Sequence, residues 1–318
     1  MSRPIREIVL PSPGTAVAFG GERGSDAVIS AWAAGEQAPR ATRSVRGTIL
    51  SGGAALDRAA GTVVVRAGAA SVLLVDPATL ETRHLLVHRG VDSVRAAGAR
   101  IVTAGAGRLA LHDAATGALL ELREHAGLPA TVRAYHPAPD RLAYATPRGR
   151  IGFLATAALE PLAARDLPDA RYVASAPDRI AVLLGEDLWV WDAEADAMCP
   201  VAASAIQSAR FAGDALVVAT GDAVLTCDRD GAIVRRLAFS SLVPARREPI
   251  YCTLVEDRRA VIRHGDTIAR VDLDAGTATS WTNPAPVEGL HEGLRPEVLD
   301  GDAVVSGLAG GAVGWHGP

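Results

Sequence analysis

Apolar residues gather along this chain in runs of four to six, rich in Val and Ile and closed by Gly, Asp or Pro. Such runs are too short for a helix of three turns, and no stretch recurs with the 3.6-residue period of an amphipathic helix. They read as short strands. The strands come in repeating groups. Residues 99–117 (ARIVTAGAGRLALHDAATG), 178–192 (DRIAVLLGEDLWVWD) and 214–231 (DALVVATGDAVLTCDRDG) share one outline: an apolar strand, a Gly/Asp break, a second apolar strand ending in Asp, then a turn. The closing Asp falls at Asp76, Asp113, Asp192, Asp228 and Asp272, with gaps of 37, 79, 36 and 44. The gap of 79 spans one unit that lacks the Asp, at residues 149–157.

Four short strands repeating with a period near forty residues describe a β-propeller. A two-sheet sandwich would not require so long and regular a period. Third strands are expected near residues 29–32, 73–75, 109–111, 151–154, 188–191, 224–226, 268–271 and 313–315. That predicts one all-β domain over residues 1–318, with eight four-stranded blades, seven being the alternative. The last unit runs out after three strands. The strand at residues 5–10 is expected to supply the fourth and so close the ring between the N- and C-termini, since an open propeller leaves bare sheet edges.

The repeat resembles the WD40 superfamily and the related YVTN-type propellers. Trp191-Asp192 sits where the tryptophan–aspartate dipeptide of WD40 repeats falls, and Asp113–Gly117 looks like the turn that follows it. Tyr135–Asp140 and Ala176-Pro-Asp178 are similar to the family's turn between first and second strands. Only one unit carries the full Trp-Asp pair, and the Gly-His pair at blade starts is missing. The resemblance therefore implies the propeller and no family-specific function.

Composition narrows the chemistry. All 32 basic side chains are Arg, which excludes Schiff-base catalysis, a P-loop lysine and pyridoxal-phosphate attachment. A net charge of −4 gives no overall basic excess, so nucleic acid is not an expected partner. Cys199, Cys227 and Cys252 have no metal or disulfide spacing and read as buried thiols in a reducing compartment. No signal-peptide run and no stretch of 18 apolar residues is present, so a cytoplasmic bacterial protein without a membrane span is expected. A monomer without cofactor is the simplest expectation.

Familiar site patterns are absent or explained by turns. His84 and His88 lie four apart on what reads as a strand, about 13 Å from one another and too distant to share a metal. Asp228-Arg-Asp-Gly231 and Asp272–Gly276 start like calcium loops but never reach the acidic twelfth position, so they read as Asp-capped turns. Gly105-Ala-Gly107 precedes no helix, and no Gly-x-Ser-x-Gly elbow occurs. His136, His264 and His291 fall near strand ends, where a histidine can act as acid or base.

An arginine recurs at one position of four successive first strands: Arg95, Arg133, Arg171 and Arg210, with gaps of 38, 38 and 39. Arg46 and Arg295 fall near two further strand starts. First strands line the axis of a propeller, so these side chains, with His136, are expected near a channel mouth. There they either pair with carboxylates of adjacent blades, such as Asp92 or Asp169, or bind an anion through the planar guanidinium fork. Two functions follow. The first is a non-catalytic recognition or scaffold propeller for a protein, peptide or anionic small ligand. The alternative is a propeller enzyme (lyase, hydrolase or cyclase) acting at the channel mouth.

Overall fold

The computed structural model describes residues 5–21, 26–46, 54–57, 61–97, 99–124, 134–137, 140–146, 148–243, 250–256, 258–264, 267–282, 297–307 and 313–316. The strands form eight antiparallel meanders, at residues 5–45, 54–87, 91–124, 134–166, 171–201, 208–238, 250–282 and 297–316, here called blades 1 to 8. Among the described residues seven have four strands and blade 8 has three. All eight expected third strands are present at their expected places. Helix is limited, among the described residues, to the short 3₁₀ turn Phe239–Ser241. No helix among them is long and apolar enough to cross a membrane.

First strands touch first strands of the neighbouring blades, and that of blade 1 touches that of blade 8, so they form the inner ring. The middle strands are apolar on both sides because each blade is covered by two neighbours. Eight hydrophobic clusters result, one at every seam. Between blades 1 and 2, for example, Phe19 and Ile29 meet Val63, Val65 and Leu80. Between blades 4 and 5, Phe153 stacks on Trp191 with ring centroids 6.0 Å apart. Fourth strands are covered on one side only, and their pattern alternates accordingly, as in Leu119–Glu124 and Pro161–Asp166.

The repeated Asp has a local cause. In five blades its carboxylate accepts hydrogen bonds from backbone N–H groups of the turn that follows; Asp113 Oδ1 takes those of Ala115 (3.1 Å) and Thr116 (2.8 Å). The turn then needs a left-handed residue, which is Gly117 in blade 3. In blade 4, Ala155 replaces the Asp. The turn persists through the Leu159 N–H to Ala155 carbonyl bond of 2.8 Å, with Leu159 buried in the seam cluster at φ +53°.

The ring closes between the termini, but not by strand exchange. The N-terminal strand Ile5–Ser12 is the innermost strand of blade 1 and pairs with Thr15–Gly20; it adds nothing to blade 8. Closure comes from packing. Ile5, Ile8, Ala16 and Trp32 of blade 1 meet Val305 and Val313 of blade 8, with Trp315 against them. Asp300 Oδ2 accepts from Gly14 N (2.7 Å) and Trp315 Nε1 (2.9 Å), tying the two blades together.

Candidate functional site: a cavity on the inner strands of blades 5 to 7

The strand Arg171–Ser175 opens blade 5 and carries a β-bulge between Tyr172 and Ala174. Arg171 is three residues from Ala174 in sequence but only two levels away in register, since Arg171 pairs with Leu183 and Ala174 with Ala181. The bulge therefore puts Arg171 on the side of the strand that a regular pairing would deny it. Arg210 lies on the first strand of blade 6, Ser208–Ala212. Both arginines are exposed, and both line one cavity of about 780 Å³ whose walls also include Tyr172, Ser175, Gln207 and Thr253.

The wall is held by side chains that imitate backbone. Gln207 donates through Nε2 to the Ile250 carbonyl (2.6 Å) and accepts the Cys252 N–H through Oε1 (2.7 Å). Ser208 donates to the Cys252 carbonyl (3.1 Å). The seam between blades 6 and 7 is thereby stitched at the cavity. Tyr172 donates its phenolic proton to Ser175 Oγ (3.0 Å), and burial pushes its ionisation far above the ordinary phenol range, with Arg95 and Arg210 opposing that shift. Burial also lowers the Arg95 pKa, against the attraction of Glu7 and Tyr172. Arg95 of blade 3 thus feels Glu7 of blade 1 and Tyr172 of blade 5, and Tyr172 feels Arg210 of blade 6.

The arginines aligned by the 38-residue spacing do not share one level. Arg95 pairs with Val102 and Arg210 with Val217, residues that in turn face Leu111 and Thr226, each two before the turn Asp. Arg171 stands two levels further along, because Leu183 faces Leu188, four before Asp192. The level of Arg95 and Arg210 is occupied in blade 4 by His136, which pairs with Ala143, and in blade 7 by Thr253. Arg133, Arg295 and His291 lie outside the described residues, as do the side chains of His136 and Asp92. Arg46 is exposed just beyond the fourth strand of blade 1, Ala41–Val45, and does not line the cavity.

The histidines do not converge. His84 bonds the Ala115 carbonyl of the next blade (2.8 Å), whereas His88 is buried against Thr103 Oγ1 (2.8 Å). His264 is buried at a strand end. No group of three or more His, Cys, Asp or Glu suited to a metal occurs among the described residues.

Comparison with known proteins gives the fold and nothing finer. No protein-family model matches the chain, and no curated protein does. Among solved structures it is similar to the computationally designed Ika8 protein, with a TM-score of 0.71 and 16% identity over 100% of this chain and 97% of that one. It is also similar to BamB from Moraxella catarrhalis, with a TM-score of 0.61 and 13% identity over 98% of this chain and 93% of that one. The chain is a β-propeller.

Of the arginines that the spacing singles out, Arg171 and Arg210 line the cavity; the residues that build it between them carry no such signal. Gln207 was legible only as one of two glutamines. The bulge at Val173 has no Gly or Pro to mark it.

Proposed function

We propose that this propeller is a recognition module that binds an anionic small ligand or an acidic peptide segment in the cavity of blades 5 to 7, without carrying out a reaction. The observation behind this reading is the composition of the lining. It holds Arg171 and Arg210 but no His, Cys, Asp or Glu among its described residues. Its remaining titratable group is Tyr172, whose proton burial retains. Two cations that hold charge at all working pH values suit an anion. A site with no group that exchanges protons near neutrality is poorly equipped for the general acid–base steps of a lyase, hydrolase or cyclase. The WD40-like ancestry and a cytoplasmic setting belong to the same reading, supported by the Asp-capped turns and by the free thiols of Cys199 and Cys227.

Titration calorimetry at low ionic strength with inorganic phosphate and with hexaglutamate tests it. Binding is expected with the natural protein, weakening at least tenfold in the double variant Arg171→Ala, Arg210→Ala. Both side chains are exposed, so the melting temperature should hardly change. Equal binding by the variant, or no binding by either protein, overturns the reading.

A further inference from the structure

The cavity has a second character that its cations do not explain. Beside Arg171 and Arg210 it is lined by Ile206, Leu183, Phe211 and Leu254. Three of these belong to the seam cores and carry their apolar surface up to the cavity wall. At about 780 Å³ the space lies within the range of organic-ligand sites, roughly 300–1,000 Å³. A bare oxyanion would leave most of it to water against apolar walls. Ser175 adds a directed donor. Its oxygen accepts the Tyr172 proton, so its own hydroxyl hydrogen is available to a ligand atom. The Gln207 and Ser208 bonds fix one wall before any ligand arrives, which lowers the ordering cost of binding.

We infer that the ligand class is an amphiphilic organic anion: a carboxylate or phosphate-ester head held by Arg171 and Arg210, with an aliphatic or aromatic body against Ile206, Leu183, Phe211 and Leu254. This rests on the anion reading above and adds the apolar half. Arg supplies the head site through charge-assisted, bidentate bonds. The body contributes through burial at about 0.8 kcal/mol per methylene, close to fourfold in affinity where burial is complete.

The experiment is calorimetry with acetate, butanoate, hexanoate and octanoate, together with inorganic phosphate and neutral octanol. Affinity is expected to rise about two- to fourfold per methylene along the series. The variant Ile206→Ser should flatten that rise while leaving acetate and phosphate unchanged. The double variant Arg171→Ala, Arg210→Ala should weaken every anion. If octanoate binds no better than acetate, the amphiphile inference fails and the anion reading stands. If octanol binds as well as octanoate, the head-group assignment fails. If no anion binds, both readings fall together. A chain-length dependence that survives Ile206→Ser and the double arginine variant alike locates the binding on another apolar surface and also overturns the inference.

Discussion

His88, Thr103 and His112 form a buried chain whose proton positions follow from one carbonyl. His88 Nε2 lies 3.1 Å from the Gly105 carbonyl, which only accepts, so that nitrogen carries the proton. With the proton there, His88 offers Nδ1 as an acceptor to the Thr103 hydroxyl (2.8 Å), and Thr103 oxygen can accept from His112 Nε2 (3.4 Å). Burial, reinforced by His88, pushes the His112 pKa down to about 4, and burial lowers that of His316 as well. The unfolded chain takes up protons near pH 6.5, while folded His112 refuses its proton until pH is near 4. Stability present above pH 6.5 is therefore lost as pH falls towards 4, on the order of 3 kcal/mol from His112 alone. The turn carboxylates act lower: Thr79 N–H holds the Asp76 pKa down at about 2, so its contribution disappears only below pH 4. Denaturant unfolding at pH 7, 5.5 and 4.5 should show a steady decline, reduced in His112→Phe. A flat profile over that interval would show that the chain accepts protons when folded.

At the scale of strands, every seam carries a polar staple besides its apolar cluster, and most are arginines reaching carbonyl oxygens. Fourth strands send Arg43 to the Leu80 carbonyl (2.8 Å), His84 to that of Ala115 (2.8 Å), Arg165 to that of Asp196 (2.9 Å) and Arg235 to that of Leu273 (2.6 Å), each on the next blade. This regularity is written in the fourth strands of the sequence, not in the first strands. Five of the third strands were legible because a local turn fixes them: the Asp must stand where its carboxylate meets backbone N–H groups two to four residues further on. The level of the first-strand arginines was not legible, because the bulge at Val173 changes register without changing spacing. Arg179 is the most buried staple. It donates to the Asp214 carbonyl (2.8 Å) and the Asp214 carboxylate (3.1 Å), and its guanidinium lies 5.2 Å from the Phe211 ring centroid. The Asp214 carboxylate is 87% exposed, so the ion pair itself contributes little. The buried fit and the carbonyl bonds matter more. Arg179→Ala should cost on the order of 3 kcal/mol through a void and stranded carbonyls, and Asp214→Ala well under 1 kcal/mol. Chemical denaturation of both variants checks this. Similar losses in the two would give the ion pair the larger share.

The ring as a whole holds together only if its last seam is as strong as the others, and that seam is built differently. No fourth strand covers blade 8 among the described residues, and the N-terminal strand stays within blade 1. What joins the termini is the cluster of Ile5, Ile8, Trp32, Val305 and Val313, together with the Asp300 carboxylate. One oxygen of Asp300 receives both the Gly14 N–H and the Trp315 indole N–H. Removing the carboxylate therefore leaves two half-buried donors without their acceptor, on opposite sides of the seam. Asp300→Ala should cost about 2–3 kcal/mol at the rates known for hydrogen bonds to charged groups. Trp315→Ala should cost about 3 kcal/mol, because the ring is only half buried in the cluster. The two share an interaction, so the double variant should lose less than the sum of the single losses. Thermal unfolding of the three variants measures that coupling. If the seam closes the ring, each single variant also loosens both ends of the chain at once. Amide exchange should then quicken in Thr15–Gly20 as well as in Ala303–Gly307, although these strands lie at opposite ends of the sequence. Faster exchange confined to Ala303–Gly307 would mean that blade 1 is held by blade 2 alone and that the ring does not depend on this contact.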